Sequence, residues 1–118
     1  MRRVILESPL AADTPEARNR HRAYGRACVR HALLQADSPI APHLLWTDGS
    51  LDDTSPLHRQ YGFEAASWWY QSQVVEAIVV YCDLKISPGM AIGIRRGMDA
   101  DIPIEYRTIG WDLSDGSK

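Results

Sequence analysis

The chain has 118 residues, enough for one domain with a real core and too few for two. With 45% hydrophobic residues, 24% charged residues and a formal net charge of −2, it reads as a soluble globular protein. That balance excludes a general attraction to nucleic acid or to an anionic membrane. No stretch approaches the ~20 apolar residues that span a bilayer, and Val4-Ile5-Leu6 after Met1-Arg2-Arg3 is too short for a signal-peptide core. Cys28 and Cys82 sit among apolar residues without metal-like spacing, so both read as reduced core thiols and the expected location is cytoplasmic.

Four short apolar runs alternate with three longer helical stretches. Residues 3–8 (RVILES) read as the first strand. A helix is expected over about 15–36, with Tyr24, Ala27, Cys28 and Leu34 facing inward; Arg18, Arg22, Arg26 and Arg30 recur every fourth residue and give it a solvated basic face. Residues 39–46 (PIAPHLLW) read as a second strand, which Pro39 and Pro42 confine to an edge or make partly irregular. A second helix is expected over about 56–75, where Leu57, Tyr61, Ala65 and Trp68 follow a spacing near 3.6 and form its apolar stripe. The nearly all-apolar residues 77–83 (AIVVYCD) read as a central strand covered on both faces. A third helix over about 88–100 carries Met90, Ile94 and Met98, and residues 103–109 (PIEYRTI) make a last strand. This order predicts an α/β domain over 1–110, a small doubly wound, flavodoxin- or Rossmann-like parallel sheet of about four strands with three main helices. Residues 111–118 read as a C-terminal tail.

Each expected helix opens with the same device: Thr14-Pro15, Ser55-Pro56 and Ser87-Pro88. The hydroxyl caps a free amide and the proline needs no donor at the next position. In a parallel sheet every strand-to-helix loop leaves by the same edge, so three positive helix ends gather where such folds bind ligands. Glu7, Ser8 and Pro9 follow the first strand at that edge. Trp46, Asp52 and Asp53 follow the second, and Asp83, Ser87, Pro88, Gly89 and Met90 follow the third. Ser87 to Met90 suit an anion, and Gly89 leaves room for close approach to the backbone. Asp83, Glu7 and Asp52 or Asp53 suit ribose hydroxyls or a base, and Trp46 or Tyr24 offers a stacking surface. His43, inside the second strand, reads either as a hydrogen-bonded core residue or as a ligand contact. His21, His31, His43 and His58 lack ligand spacing, so no metal is expected. There is no P-loop, G-x-G-x-x-G or G-x-S-x-G motif, and no cofactor is expected. In Trp68-Trp69 the side chains diverge by about 100° on a helix, so one fills core while the other reaches solvent or a partner; a homo-oligomer is expected.

Several segments resemble the nucleoside 2-deoxyribosyltransferase-like proteins and their small phage and bacterial relatives. They are Val4-Ile5-Leu6-Glu7-Ser8-Pro9, Arg18-Asn19 leading into a long helix, Ala41-Pro42-His43-Leu44, Leu51-Asp52-Asp53, the run from Asp83 to Met90, and Asp101-Ile102-Pro103-Ile104. The resemblance spans most of the chain, and implies a doubly wound sheet with a nucleoside cleft at the strand ends. It also implies a glutamate four residues after the glycine of the third helix, which attacks the anomeric carbon of the sugar. That position here is Gly93, so deoxyribosyl transfer is not expected. The leading expectation is a catalytically degenerate relative that binds, senses or sequesters a nucleotide, a nucleoside or a nucleotide-derived signal. The alternatives are an N-glycosidase or nucleotide hydrolase using Glu7 or Asp83, and an oligomeric interaction module with a vestigial cleft.

Overall fold

The computed structural model describes residues 1–46, 50–52 and 54–111. Its strands are β1 (Arg2–Glu7), β2 (Asp37–Ile40), β3 (Ala77–Tyr81) and β4 (Ile104–Arg107), and its helices are α1 (Pro15–Leu34), α2 (Pro42–Leu45), α3 (Pro56–Tyr70) and α4 (Pro88–Asp99). The strands form one parallel sheet in the order β2-β1-β3-β4. Val4 sits opposite Pro39 on one side and Ala77 on the other, and Ile78 sits opposite Ile104. The expected doubly wound α/β architecture is thus present, with Pro39 of the second apolar run on the edge strand β2.

Strand alternation divides the core into two layers. Val4 and Leu6 of β1, with Ala77, Val79 and Tyr81 of β3, pack on Tyr24, Cys28 and Ala32 of α1. Ile5, Ile78 and Val80 point the other way, onto Ala66 and Tyr70 of α3 and Met90 and Ile94 of α4. Helix α4 lies close to the sheet because Gly97 has no side chain: a Cβ there would come within 2.7 Å of Ile78 Cγ1 and 3.0 Å of Ile104 Cδ1. The α1 side has only one long helix, and an ionic network occupies part of that side. Arg2 binds Glu105 at 2.6 Å, while Arg107 reaches Asp37 at 2.8 Å and Glu105 at 3.3 Å.

The three expected caps are made. Thr14 Oγ1 accepts from the Ala17 amide, Ser55 Oγ from His58 and Ser87 Oγ from Met90, at 3.1, 3.3 and 3.2 Å. Because the strands are parallel, the starts of α1, α3 and α4 border the carboxyl edge of the sheet, α1 from one face and the other two from the opposite face.

Four expectations need correction. Leu34, expected to face inward, is 75% exposed at the end of α1. The second apolar run is not one strand: β2 ends at Ile40, and Pro42 starts the single turn α2, as proline at a first helical position can. His43 therefore lies on a helical turn. The second long helix stops at Tyr70, and its apolar stripe faces outward, with Leu57 55%, Tyr61 54% and Trp68 69% exposed. Its buried residues are Ala66 and Tyr70, because the small alanine lets α3 close on the sheet. Neither Trp68 nor Trp69 fills the core; both are exposed.

Candidate functional site

Neighbouring β1 and β3 lead onward to helices on opposite faces, α1 and α4, so the gap between their carboxyl ends is the usual ligand position in such sheets. Glu7 is the last residue of β1 and lies opposite Val80. It shares its face with Ile5, so its carboxyl enters the layer of α3 and α4. There the Tyr70 hydroxyl donates a hydrogen bond to Glu7 Oε2. Burial pushes the Glu7 pKa up to about 7, against smaller opposing effects from the Tyr70 hydrogen bond and the Arg96 guanidinium. Arg96 is held by the Phe63 carbonyl at 3.0 Å and stacks over the rings of Phe63 and Tyr70, at 5.4 and 5.9 Å. Tyr70 and Arg96 also line a groove of about 690 Å³ between the C-terminal ends of α3 and α4, on the amino-edge side of the sheet, together with Gln71, Asp99 and Asp101.

The Glu7 carboxyl fills the space beside Gly93. A Cβ built on Gly93 would collide with Glu7 Oε2, and would lie 2.5 Å from Glu7 Cδ and 2.7 Å from the Tyr70 hydroxyl. Sequence reasoning singled out Glu7 and Gly93 separately. It missed Tyr70 and Arg96, which become neighbours of Glu7 only through the packing of α3 on α4; the polar Tyr70 near the end of an apolar helix was the available signal.

Ser8, the next residue, points toward α1 and is buried, and its Oγ lies 2.6 Å from His43 Nε2. Burial pushes the His43 pKa down to about 4, so the ring is neutral at physiological pH. Pro9 is buried beside them. The pair ties β1 to α2 and stands on the opposite face of β1 from Glu7.

Asp83 follows β3 but its carboxylate is taken up within the fold. It accepts from the Tyr24 hydroxyl at 2.7 Å and from the amides of Ile109 and Trp111 at 3.1 Å. These bonds make the oxygens a tie to the segment after β4, and the expected contact with a sugar or base stays a proposal. Tyr24 is corrected as a stacking surface, since it is fully buried and its ring meets Trp111 edge-on. Trp46 is half-buried against the α3/α4 layer.

At the start of α4, Ser87 Oγ takes the Met90 amide and the Ser87 amide faces Met90 Sδ at 3.4 Å. Pro88 has no amide hydrogen, which leaves Gly89 as the open donor of that turn, with free space where its side chain would be. Asp52 is exposed and folded onto Thr54, accepting from its amide at 2.9 Å and its hydroxyl at 2.6 Å. Those hydrogen bonds hold its pKa below the usual carboxylate range. Asp53 lies outside the described residues. Among the described residues no three of His, Cys, Asp and Glu stand together as metal ligands, and no helix is long and apolar enough to cross a membrane.

A family model, described as a domain of unknown function, matches residues 2–107. The chain belongs to the DUF7768 family. Among curated proteins none matches it by sequence. The solved structure of a 2-deoxyribosyltransferase from the psychrotolerant bacterium Bacillus psychrosaccharolyticus is similar to this DUF7768 domain, with a TM-score of 0.60 at 12% identity. The similarity covers 94% of this chain and 76% of that one. At such identity the likeness is one of fold, and it supports the deoxyribosyltransferase-like architecture expected from the sequence.

Proposed function

We propose that this domain binds a nucleoside or nucleotide at the carboxyl edge of its sheet, between the ends of β1 and β3, and does not transfer deoxyribose by the helix-borne glutamate that the resemblance implies. The observation that carries this reading is the gathering of three capped helix starts at that edge around the β1–β3 divergence, with a buried carboxyl beside it. Free amide hydrogens and helix dipoles favour an anionic group at the start of α4, where Gly89 leaves backbone accessible between Ser87, Pro88 and Met90. Glu7 suits a sugar hydroxyl, and Ser8, Pro9 and His43 are the proposed contacts from the other face of β1. Trp46 and Asp52, which follow β2, and by sequence Asp53 are the proposed contacts to the base. Position 93 carries no side chain to attack a sugar. Two reduced thiols and the absence of strong surface charge fit a cytoplasmic protein.

A thermal-shift series with nucleosides, nucleoside monophosphates and inorganic phosphate tests the reading. Ligand at 100 times its dissociation constant adds about 2.7 kcal/mol of stability. A nucleoside or nucleotide that raises the melting temperature, and loses that effect in Gly89→Trp, supports it; a flat series across all compounds at millimolar concentration overturns it.

A homo-oligomer is the second part of the proposal, favoured by the outward stripe of Leu57, Tyr61 and Trp68 on α3. Sedimentation of the wild type beside Trp68→Glu is the check. A wild-type monomer at high micromolar concentration removes this part and leaves the binding reading intact.

A further inference from the structure

We propose that the outer edge of β4 is a self-association surface, on which two copies of this chain pair β4 with β4 in antiparallel fashion about a two-fold axis at Tyr106. Their four-stranded sheets then join into one. This surface is separate from the α3 stripe and stands without the nucleoside-binding reading.

The register fixes which backbone groups of β4 are free. The Pro103 carbonyl accepts from the Ile78 amide at 2.8 Å, and the Arg107 carbonyl from the Cys82 amide at 3.0 Å. Residues alternate in a parallel ladder, so Pro103, Glu105 and Arg107 turn their backbone groups toward β3. Ile104, Tyr106 and Thr108 direct theirs outward, and among the described residues nothing pairs with them. The opposite edge strand, β2, carries Pro39 within its ladder, a residue that blunts an edge. Between Ile104 and Arg107 β4 has no such guard.

Antiparallel pairing of two identical edges satisfies all of these groups. With the axis at Tyr106, that residue faces its own copy, Ile104 faces Thr108, and each outward amide meets a carbonyl. The same register sets Glu105 of each copy opposite Arg107 of the other. Both side chains lie on the α1 face, where Arg107 already reaches Glu105 of its own strand at 3.3 Å. The pair of strands therefore closes an alternating ring of charge, the arrangement that favours a cross-strand contact. Parallel pairing in register would set like against like, and so would an edge bearing one sign of charge, the device of strands that avoid partners.

The other face adds apolar area. Tyr106 is 57% exposed and shares the α4 side of the sheet with Ile104. Met90, Gly93, Ile94 and Gly97 turn α4 onto the sheet, and Arg96 turns toward Phe63 and Tyr70 of α3. At about 100° per residue, Ala91, Arg95 and Met98 fall on the side away from α3, beside the free edge of β4. Met98 is 58% exposed there. The two-fold brings this side of α4 against its copy, while the long Arg95 side chain carries its charge out to solvent.

Sedimentation of the full chain from low to high micromolar concentration measures the association, with amide hydrogen exchange on the same samples. A dimer is expected, in which the amides of Ile104, Tyr106 and Thr108 exchange more slowly as concentration rises. Tyr106→Pro removes an outward donor and spares the β3–β4 ladder, and should weaken the dimer by at least about tenfold. Trp68→Glu, which alters only the α3 stripe, should leave this dimer in place. Tyr106→Cys reads the register directly, because residues paired on the axis stand about 5.5 Å apart between Cα atoms, within disulfide reach. Mild oxidation should crosslink Tyr106→Cys and leave Thr108→Cys uncrosslinked, since Thr108 meets Ile104 and not itself. The wild type, with Cys28 buried and Cys82 half-buried, is the blank. Should Tyr106→Pro not fold, the crosslinking pair decides alone. A wild type that stays monomeric overturns the inference, as does a dimer that survives Tyr106→Pro or crosslinks through Thr108→Cys. Loss of the dimer in Trp68→Glu alone assigns the contact to the α3 stripe instead. Protection of the three amides in a monomer means that the chain covers its own edge, which also overturns it.

Discussion

Tyr24 and Asp83 hold each other through two hydrogen bonds, the phenol donating to Asp83 Oδ1 at 2.7 Å and accepting from the Asp83 amide at 3.0 Å. The rest of the carboxylate accepts from Ile109 and Trp111, so one side chain joins the middle of α1 to the segment leaving β4. Asp83→Asn puts donor hydrogens where only acceptors are wanted. A loss of about 1–3 kcal/mol is expected, together with faster hydrogen exchange at the amides of Ile109 and Trp111. Unchanged protection at those two amides would show that the carboxylate does not organise this segment.

Glu7 makes stability depend on pH in a direction opposite to most carboxylates. Its pKa rises from an ordinary 4.5 to about 7, so the folded chain binds the proton more tightly than the unfolded one. The contribution is complete below about pH 4.5 and is lost as pH climbs through about 7. Glu7→Gln, which is always neutral, should therefore gain on the wild type across that window, by an amount on the order of 3 kcal/mol at pH 8. Urea unfolding of both proteins at pH 5 and pH 8 measures it; a difference that does not change with pH would refute the burial.

His43 acts in the other sense. Burial lowers its pKa from 6.5 to about 4, so the fold refuses a proton that the unfolded chain accepts. Stability is full above about pH 6.5 and declines as pH falls toward 4. The two groups offset each other between about pH 4.5 and 6.5, which flattens the wild-type profile. His43→Gln keeps a polar partner for Ser8 and removes the acid limb; in that variant stability should rise relative to wild type as pH is lowered to 5. A constant offset between the two proteins would contradict this.

Ser87 caps α4 through the Met90 amide at 3.2 Å, in a turn whose Pro88 offers no donor. Ser87→Ala should cost about 1 kcal/mol and lower the melting temperature by about 4–8 °C. Calorimetry measures it, and an unchanged melting temperature would mean that water replaces the hydroxyl without loss.

Much of this architecture is legible from local chemistry. The Thr14-Pro15, Ser55-Pro56 and Ser87-Pro88 steps fix three helix starts because capping is decided by adjacent residues, and the apolar run from Ala77 to Tyr81 declares an interior strand. The stripe of Leu57, Tyr61 and Trp68 was legible as a helix face, but periodicity does not say which face turns inward. That choice fell to Ala66 and Tyr70, whose shapes fit the sheet. Pro42 reads equally as a strand breaker and a helix starter, which hid α2. In the site, Glu7 was readable from its place at a strand end. Its partners Tyr70 and Arg96 come from two helices and meet only after packing, and the engagement of Asp83 depends on a turn 26 residues further along the chain.

The Glu7 carboxyl also occupies the volume that a side chain at position 93 would enter. A residue larger than glycine there would displace the end of the Glu7 side chain, so the two positions should change together among relatives.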